Sequence, residues 1–167
     1  MNILNIPDEV KLRLQGFIDF YHEYEPEPIA TEISLYTTDR LEDGSLLYPW
    51  AGTADQIMKI KGKVWLIDIK TGKEYDKPHQ LQLTSYKILW DHIYGKELGK
   101  IDVLACLYLT SKGKFKIKKY KFVPETWFNM YEMFEYVIKD GRGKLPIIKE
   151  KPELPNVYSL KEEKEEC

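Results

Sequence analysis

The sequence predicts an α/β fold with a mixed central sheet of about five strands flanked by helices. Three observations point there. Helical and strand periodicities follow one another along the chain, short Gly-containing turns join two pairs of strand-like runs, and a helical stretch separates those pairs.

Residues 7–22 are expected to form the first helix. Pro7 suits a first turn, and Val10, Leu14, Phe17, Ile18 and Tyr21 recur at helical spacing as its packing stripe. After the break Glu25-Pro26-Glu27-Pro28, residues 30–37 alternate as a strand does, with Ile33 and Leu35 on one side and Glu32, Ser34 and Tyr36 on the other. A loop containing Asp43-Gly44 leads to a second strand over 52–60, a Lys61-Gly62 turn and a third strand over 63–70. Lys70-Thr71-Gly72-Lys73 is turn chemistry. A helix with Pro78 near its first turn then runs to about Tyr94 and stops at Gly95. Runs over 101–110 and 114–123, joined by Ser111-Lys112-Gly113, read as a second hairpin. Pro124 opens a last helix to about Asp140, with Trp127, Met130, Tyr131, Phe134 and Val137 at its period.

At 167 residues the chain fits one domain, expected over 1–148, with a charged, Pro-containing tail over 149–167 that ends in Lys161-Glu162-Glu163-Lys164-Glu165-Glu166-Cys167. No stretch approaches the roughly 20 apolar residues of a membrane span, and Asp8 and Glu9 stand where a secretory leader carries basic and then apolar residues. A cytoplasmic protein without a membrane partner is the expectation. Two cysteines, Cys106 and Cys167, cannot supply a four-cysteine zinc or iron-sulfur site, so both are read as ordinary thiols. There is no GxxxxGK[ST] loop and hence no ATP site, and His22-Glu23 lacks the second histidine of a metalloprotease helix.

The candidate chemistry follows from register. With Lys61-Gly62 as a two-residue turn, Ile60 pairs with Lys63, and counting outward sets Asp55 opposite Asp68. Directly opposed side chains lie about 4.5–5.5 Å apart at Cβ, and like charges there repel unless something positive lies between them. A divalent cation fits that gap. Oxygen donors without a cysteine or histidine cluster favour a hard ion, Mg²⁺ or Mn²⁺. Lys70, two residues beyond Asp68, projects from the same face about 7 Å further along. Cation and ammonium beside one pocket suit hydrolysis of a phosphate ester. The apolar run Val64-Trp65-Leu66-Ile67 buries this strand, and a buried carboxylate needs a partner.

Three ordered segments then resemble a known family. Gly52-Thr53-Ala54-Asp55, Asp68-Ile69-Lys70 and Gln82-Leu83-Thr84-Ser85-Tyr86 look like the Gly-x-x-Asp, Asp/Glu-x-Lys and Gln-x-x-x-Tyr motifs of the RecB-like branch of PD-(D/E)XK nucleases, and the layout resembles phage-type exonucleases. The resemblance covers about residues 7–140. It implies a restriction-endonuclease-like core and metal-dependent cleavage of DNA, by exonuclease rather than endonuclease action, leaving 5′-phosphates. It also implies a setting in recombination, repair or replication, in a phage or other mobile element. The implied metal ligands are Asp55, Asp68 and the Ile69 carbonyl, with Lys70 catalytic. Glu32 is the best candidate for the earlier acidic residue that such sites often add, an exposed structural Glu being the competing reading. Gln82 and Tyr86, which share a helical face, are the implied strand-positioning pair. Members with an iron-sulfur cluster carry four cysteines absent here, so no cluster is expected. His22 and His79 match no motif and are read as structural or peripheral. Homo-oligomers and recombination or replication proteins are the partners the resemblance allows besides DNA, and the alternatives are a nuclease-fold module that binds DNA without cutting it and a structural or interaction protein in which the opposed Asp pair is merely exposed.

The net charge of −2 gives no global electrostatic case for nucleic acid, so any such case is local. Residues 100–121 hold seven lysines against the single acid Asp102. Lys112, Lys114, Lys116 and Lys118 are expected on one strand face. They either track a phosphate backbone, with Lys114 and Lys116 as the contacts, or guard a sheet edge.

Overall fold

Hydrophobic alternation in the strands and the two-residue turn at Lys61-Gly62 organise the fold. The computed structural model describes residues 6–37 and 50–139. The expected Asp43-Gly44 loop, Cys167 and the tail lie outside the described residues. In order, the elements are α1 (Asp8–Tyr24), β1 (Glu27–Tyr36), β2 (Ala51–Ile60), β3 (Lys63–Lys70), α2 (Asp76–Ile93), β4 (Val103–Leu109), β5 (Phe115–Tyr120) and α3 (Pro124–Lys139). The strands form one sheet in the order β1-β2-β3-β4-β5. All neighbours are antiparallel except β3 and β4, which α2 connects in parallel. This is the α/β, mixed five-stranded architecture expected from the sequence.

Each face of the sheet carries its own core. Met58, Ile60, Trp65, Ile67 and Leu107 pack toward Phe20 of α1. Ile33, Leu35, Ile57, Leu66, Leu104 and Cys106 pack toward Leu83, Leu89 and Trp90 of α2. The β2–β3 register is Ile60 with Lys63 through Gln56 with Ile67, as the turn requires. Lys61 and Gly62 both have positive φ, 49° and 77°, which matches the right-handed twist of a two-residue hairpin.

Two helix faces differ from expectation. In α1 the residues Val10, Leu14 and Ile18 are exposed, while Gly16 and Phe20 are buried, with Phe17 and Tyr21 alongside them. Gly16 decides this, because a Cβ there lies only 2.9 Å from the Lys114 carbonyl oxygen. The helix therefore approaches the β4–β5 turn along its glycine side and seats the aromatic stripe of Phe17, Phe20, Tyr21 and Tyr24. In α3, Trp127 and Tyr131 pack with Trp50, as their period suggests, and Phe128 joins them. Met130 and Phe134 are instead exposed, and the Val137 side chain lies outside the described residues. β5 is also shorter than expected. It starts at Phe115, so Lys112 and Lys114 belong to the turn and only Lys116 and Lys118 share a strand face.

Candidate active site

Alternation along β3 sends Trp65 and Ile67 to the α1 layer and Leu66, Asp68 and Lys70 to the α2 layer. Asp68 is thereby placed under α2 and is 2% exposed. Its Oδ2 lies 2.5 Å from Lys70 Nζ as an ion pair, yet no hydrogen bond of good geometry reaches that buried oxygen. Burial raises the Asp68 pKa, the nearby Asp55 carboxylate pushes the same way, and Lys70 opposes both. Burial alone lowers Lys70, but the Asp68 carboxylate beside it outweighs that and its pKa is raised. The ammonium is the internal countercharge of a buried carboxylate.

Asp55 lies one step beyond the last β2–β3 backbone pair, Gln56 with Ile67. Its Oδ2 accepts a hydrogen bond from the Ile69 amide at 2.8 Å, so the carboxylate reaches across to β3 between Asp68 and Lys70. Lys70 Nζ also donates to Gln82 Oε1 at 3.2 Å, and Gln82 Nε2 donates to the Tyr86 hydroxyl at 3.1 Å. Asp68, Lys70, Gln82 and Tyr86 thus form one continuous line of polar contacts from β3 to α2. Gly52 completes it, since a Cβ there falls 2.4 Å from Tyr86 Cε1. The Tyr86 ring rests directly on the β2 backbone.

Glu32 takes a different position. It falls between the pairs Thr31/Gln56 and Ile33/Ala54 and so lies beside Asp55 in the sheet, but its side chain is exposed and its φ is 49°. Among the described residues no three acidic, histidine or cysteine side chains gather into a metal-ligating group. Lys116 and Lys118 stand on the sheet face of Lys70 and are held by acids on either side of the α2 cap residue, Lys116 by Glu74 and Lys118 by Glu74 and Asp76. Lys114 lies in the turn, where its carbonyl accepts hydrogen bonds from the Thr110 amide and hydroxyl.

His79 is nearer the site than its lack of a motif suggests. It is buried in the first turn of α2, and its Nδ1 is 2.8 Å from the Tyr108 hydroxyl, which lies 3.0 Å from that of Tyr120. Burial lowers its pKa, Lys70 lowers it further, and Asp68 pulls the other way. The i, i+3 spacing from Gln82 was the available signal, because it sets both on one helical face. Cys106, opposite Asp68 on β4, is a buried free thiol whose pKa is pushed up to about 12, chiefly by burial, so it is inert as a nucleophile at neutral pH.

The donor set fits a hard divalent cation. Asp55 and Asp68 would supply two carboxylates and the Ile69 backbone a carbonyl, and Asp68 Oδ2 is a buried oxygen whose partner is the Lys70 ammonium, a site that already favours positive charge. Two carboxylates suffice for Mg²⁺, which keeps several waters and takes its other ligands from substrate phosphates.

No protein-family model and no curated protein matches the chain. Among solved structures it is similar to SSO0001 at 19% identity and a TM-score of 0.47, over 75% of this chain and 57% of that one. It is also similar to a protein of Eubacterium rectale named a "Putative exonuclease", at 11% identity and a TM-score of 0.48, over 87% of this chain and 62% of that one. The chain therefore spans less than two thirds of the length of either neighbour. No helix among the described residues is long and apolar enough to cross a membrane.

Proposed function

We propose that the protein is a metal-dependent deoxyribonuclease that hydrolyses phosphodiester bonds, acting as an exonuclease and leaving 5′-phosphates. The observation that carries this reading is the pairing of Asp68, a buried carboxylate, with a lysine that Gln82 holds beside it and with a second carboxylate, Asp55, one strand away. Asp55, Asp68 and the Ile69 carbonyl would hold Mg²⁺ or Mn²⁺, with the exposed Glu32 beside Asp55 as the additional acidic group. When bound, the cation polarises a phosphoryl oxygen and acidifies a water.

The remaining work falls to the protein. Lys70 stabilises the negative charge that develops on the phosphate, and its position is fixed from both sides by Asp68 and Gln82. Tyr86 fixes Gln82 in turn. Asp68, paired with Lys70, keeps the ammonium charged and aimed into the pocket. Lys116 and Lys114 lie toward the β4–β5 side as contacts for the DNA backbone. A role in recombination, repair or replication, in the cytoplasm and with protein partners or further copies of the chain, accords with this chemistry.

End-labelled DNA incubated with Mn²⁺ tests the reading. The wild-type protein is expected to degrade it and Asp68→Ala to be slower by at least about 100-fold, the usual cost of removing one group that stabilises transition-state charge. Equal degradation by both, or none by the wild type, removes the assignment. Shifted mobility of DNA with no cleavage identifies a binding module instead.

A further inference from the structure

The residues between β3 and α2 carry a feature that the metal site does not use. Tyr75 immediately precedes α2 as its cap residue and is 57% exposed. Its ring is braced edge-on by His79, with centroids 5.9 Å apart at 84°. His79 is itself anchored by the line through buried Tyr108 to partly buried Tyr120. An exposed ring standing on two buried side chains and a third, partly buried one is set in place before any ligand arrives.

Its surroundings are those of the site. The registers align Lys70, Tyr108 and Lys116 in one row across β3, β4 and β5, and Asp68, Cys106 and Lys118 in the next. Glu74 and Asp76, on either side of Tyr75, hold Lys116 and Lys118. Tyr75 is therefore tethered over the end of the row that begins at Lys70. Aromatic faces beside lysines are the recognition chemistry of unpaired nucleic acid, where stacking contributes what charge alone does not. That contribution matters here because the chain has a net charge of −2 and no general pull on DNA.

We infer that Tyr75 is a substrate contact whose ring stacks on a nucleobase of an unpaired DNA strand that crosses the start of α2 between Lys70 and Lys116. The inference rests on the nuclease reading and adds its substrate class, single-stranded DNA. Bases inside a duplex already stack on one another and offer this ring no free face.

Binding of a fluorescent single-stranded oligonucleotide, measured by anisotropy in EDTA so that no cleavage occurs, provides the test. Tyr75→Ala is expected to weaken it roughly 5- to 150-fold, the equivalent of the ~1–3 kcal/mol of one stacked base. Tyr75→Trp retains wild-type binding, and on an abasic strand of equal length the wild type and Tyr75→Ala bind alike. Circular dichroism of both variants separates loss of the ring from loss of fold. Equal affinity of wild type and Tyr75→Ala for the single strand overturns the inference, as does an equal loss on the abasic strand or on a duplex, or failure of the wild type to bind. Cleavage with Mn²⁺ is measured in parallel. An active wild type with an indifferent Tyr75 leaves the nuclease reading intact, whereas an inactive wild type removes that reading whatever Tyr75 does.

Discussion

Gly52 shows how tightly single residues constrain the site. A methyl group there meets Tyr86 Cε1 at 2.4 Å, so the ring has to move, and with it the hydroxyl that accepts from Gln82. Gly52→Ala is expected to cost about 1–3 kcal/mol in urea denaturation, the usual penalty of overpacking, and to slow cleavage by loosening Gln82 and then Lys70. In a Tyr86→Ala background the same Gly52→Ala change is expected to cost close to nothing, because the clash partner has gone. An identical cost in both backgrounds contradicts the packing account. The glycine and aspartate of the first motif thus serve one end: the glycine admits the Tyr86 ring, and Asp55 reaches the Ile69 amide at 2.8 Å.

At the scale of elements, the β2–β3 hairpin decides whether the two carboxylates meet. A two-residue turn fixes register, and a slip by one residue sends Asp68 to the α1 face. Gly62 has φ +77°, and a methyl group added there meets nothing within 4 Å, so Gly62→Ala is expected to cost about 1 kcal/mol through backbone conformation alone. Urea titration checks this, and an unchanged midpoint contradicts the turn assignment. This hairpin was legible in the sequence because alternation on both sides and a Lys-Gly turn leave a single pairing. The helix faces were not. Val10, Leu14 and Ile18 make as good a helical stripe as Phe17 and Tyr21, and only the close approach of Gly16 to the Lys114 carbonyl, a contact between distant segments, selects the aromatic side. The extent of β5 was misjudged for a similar reason, since alternating Lys and apolar residues continue past the last residue that β4 can pair.

For the molecule as a whole, the order of strands and the split into two cores place the candidate site at the C-terminal end of β3, between the sheet and α2. The proximity of Asp55 to Asp68 and Lys70 and of Gln82 to Tyr86 follows from strand register and helical spacing, whereas the contact of Lys70 with Gln82 depends on α2 crossing β3. The line from His79 through Tyr108 to Tyr120 could not be read from spacing, because it depends on β4 lying parallel to β3 and setting Tyr108 opposite Lys70. Glu32 shows the opposite case: backbone pairing brings it level with Asp55, while its positive φ and exposed side chain keep it out of the buried pair.

The proposed chemistry requires Asp55 and Asp68 together to hold a hard divalent cation beside Lys70. Calorimetric titration of the protein with Mn²⁺, alongside Asp55→Asn and Asp68→Asn, tests it most directly. Saturable binding by the wild type, lost or weakened at least about tenfold in each variant, is the predicted result, since a carboxamide keeps the shape but removes the charge that a hard cation requires. Binding that is absent in the wild type, or unchanged in both variants, contradicts the claim.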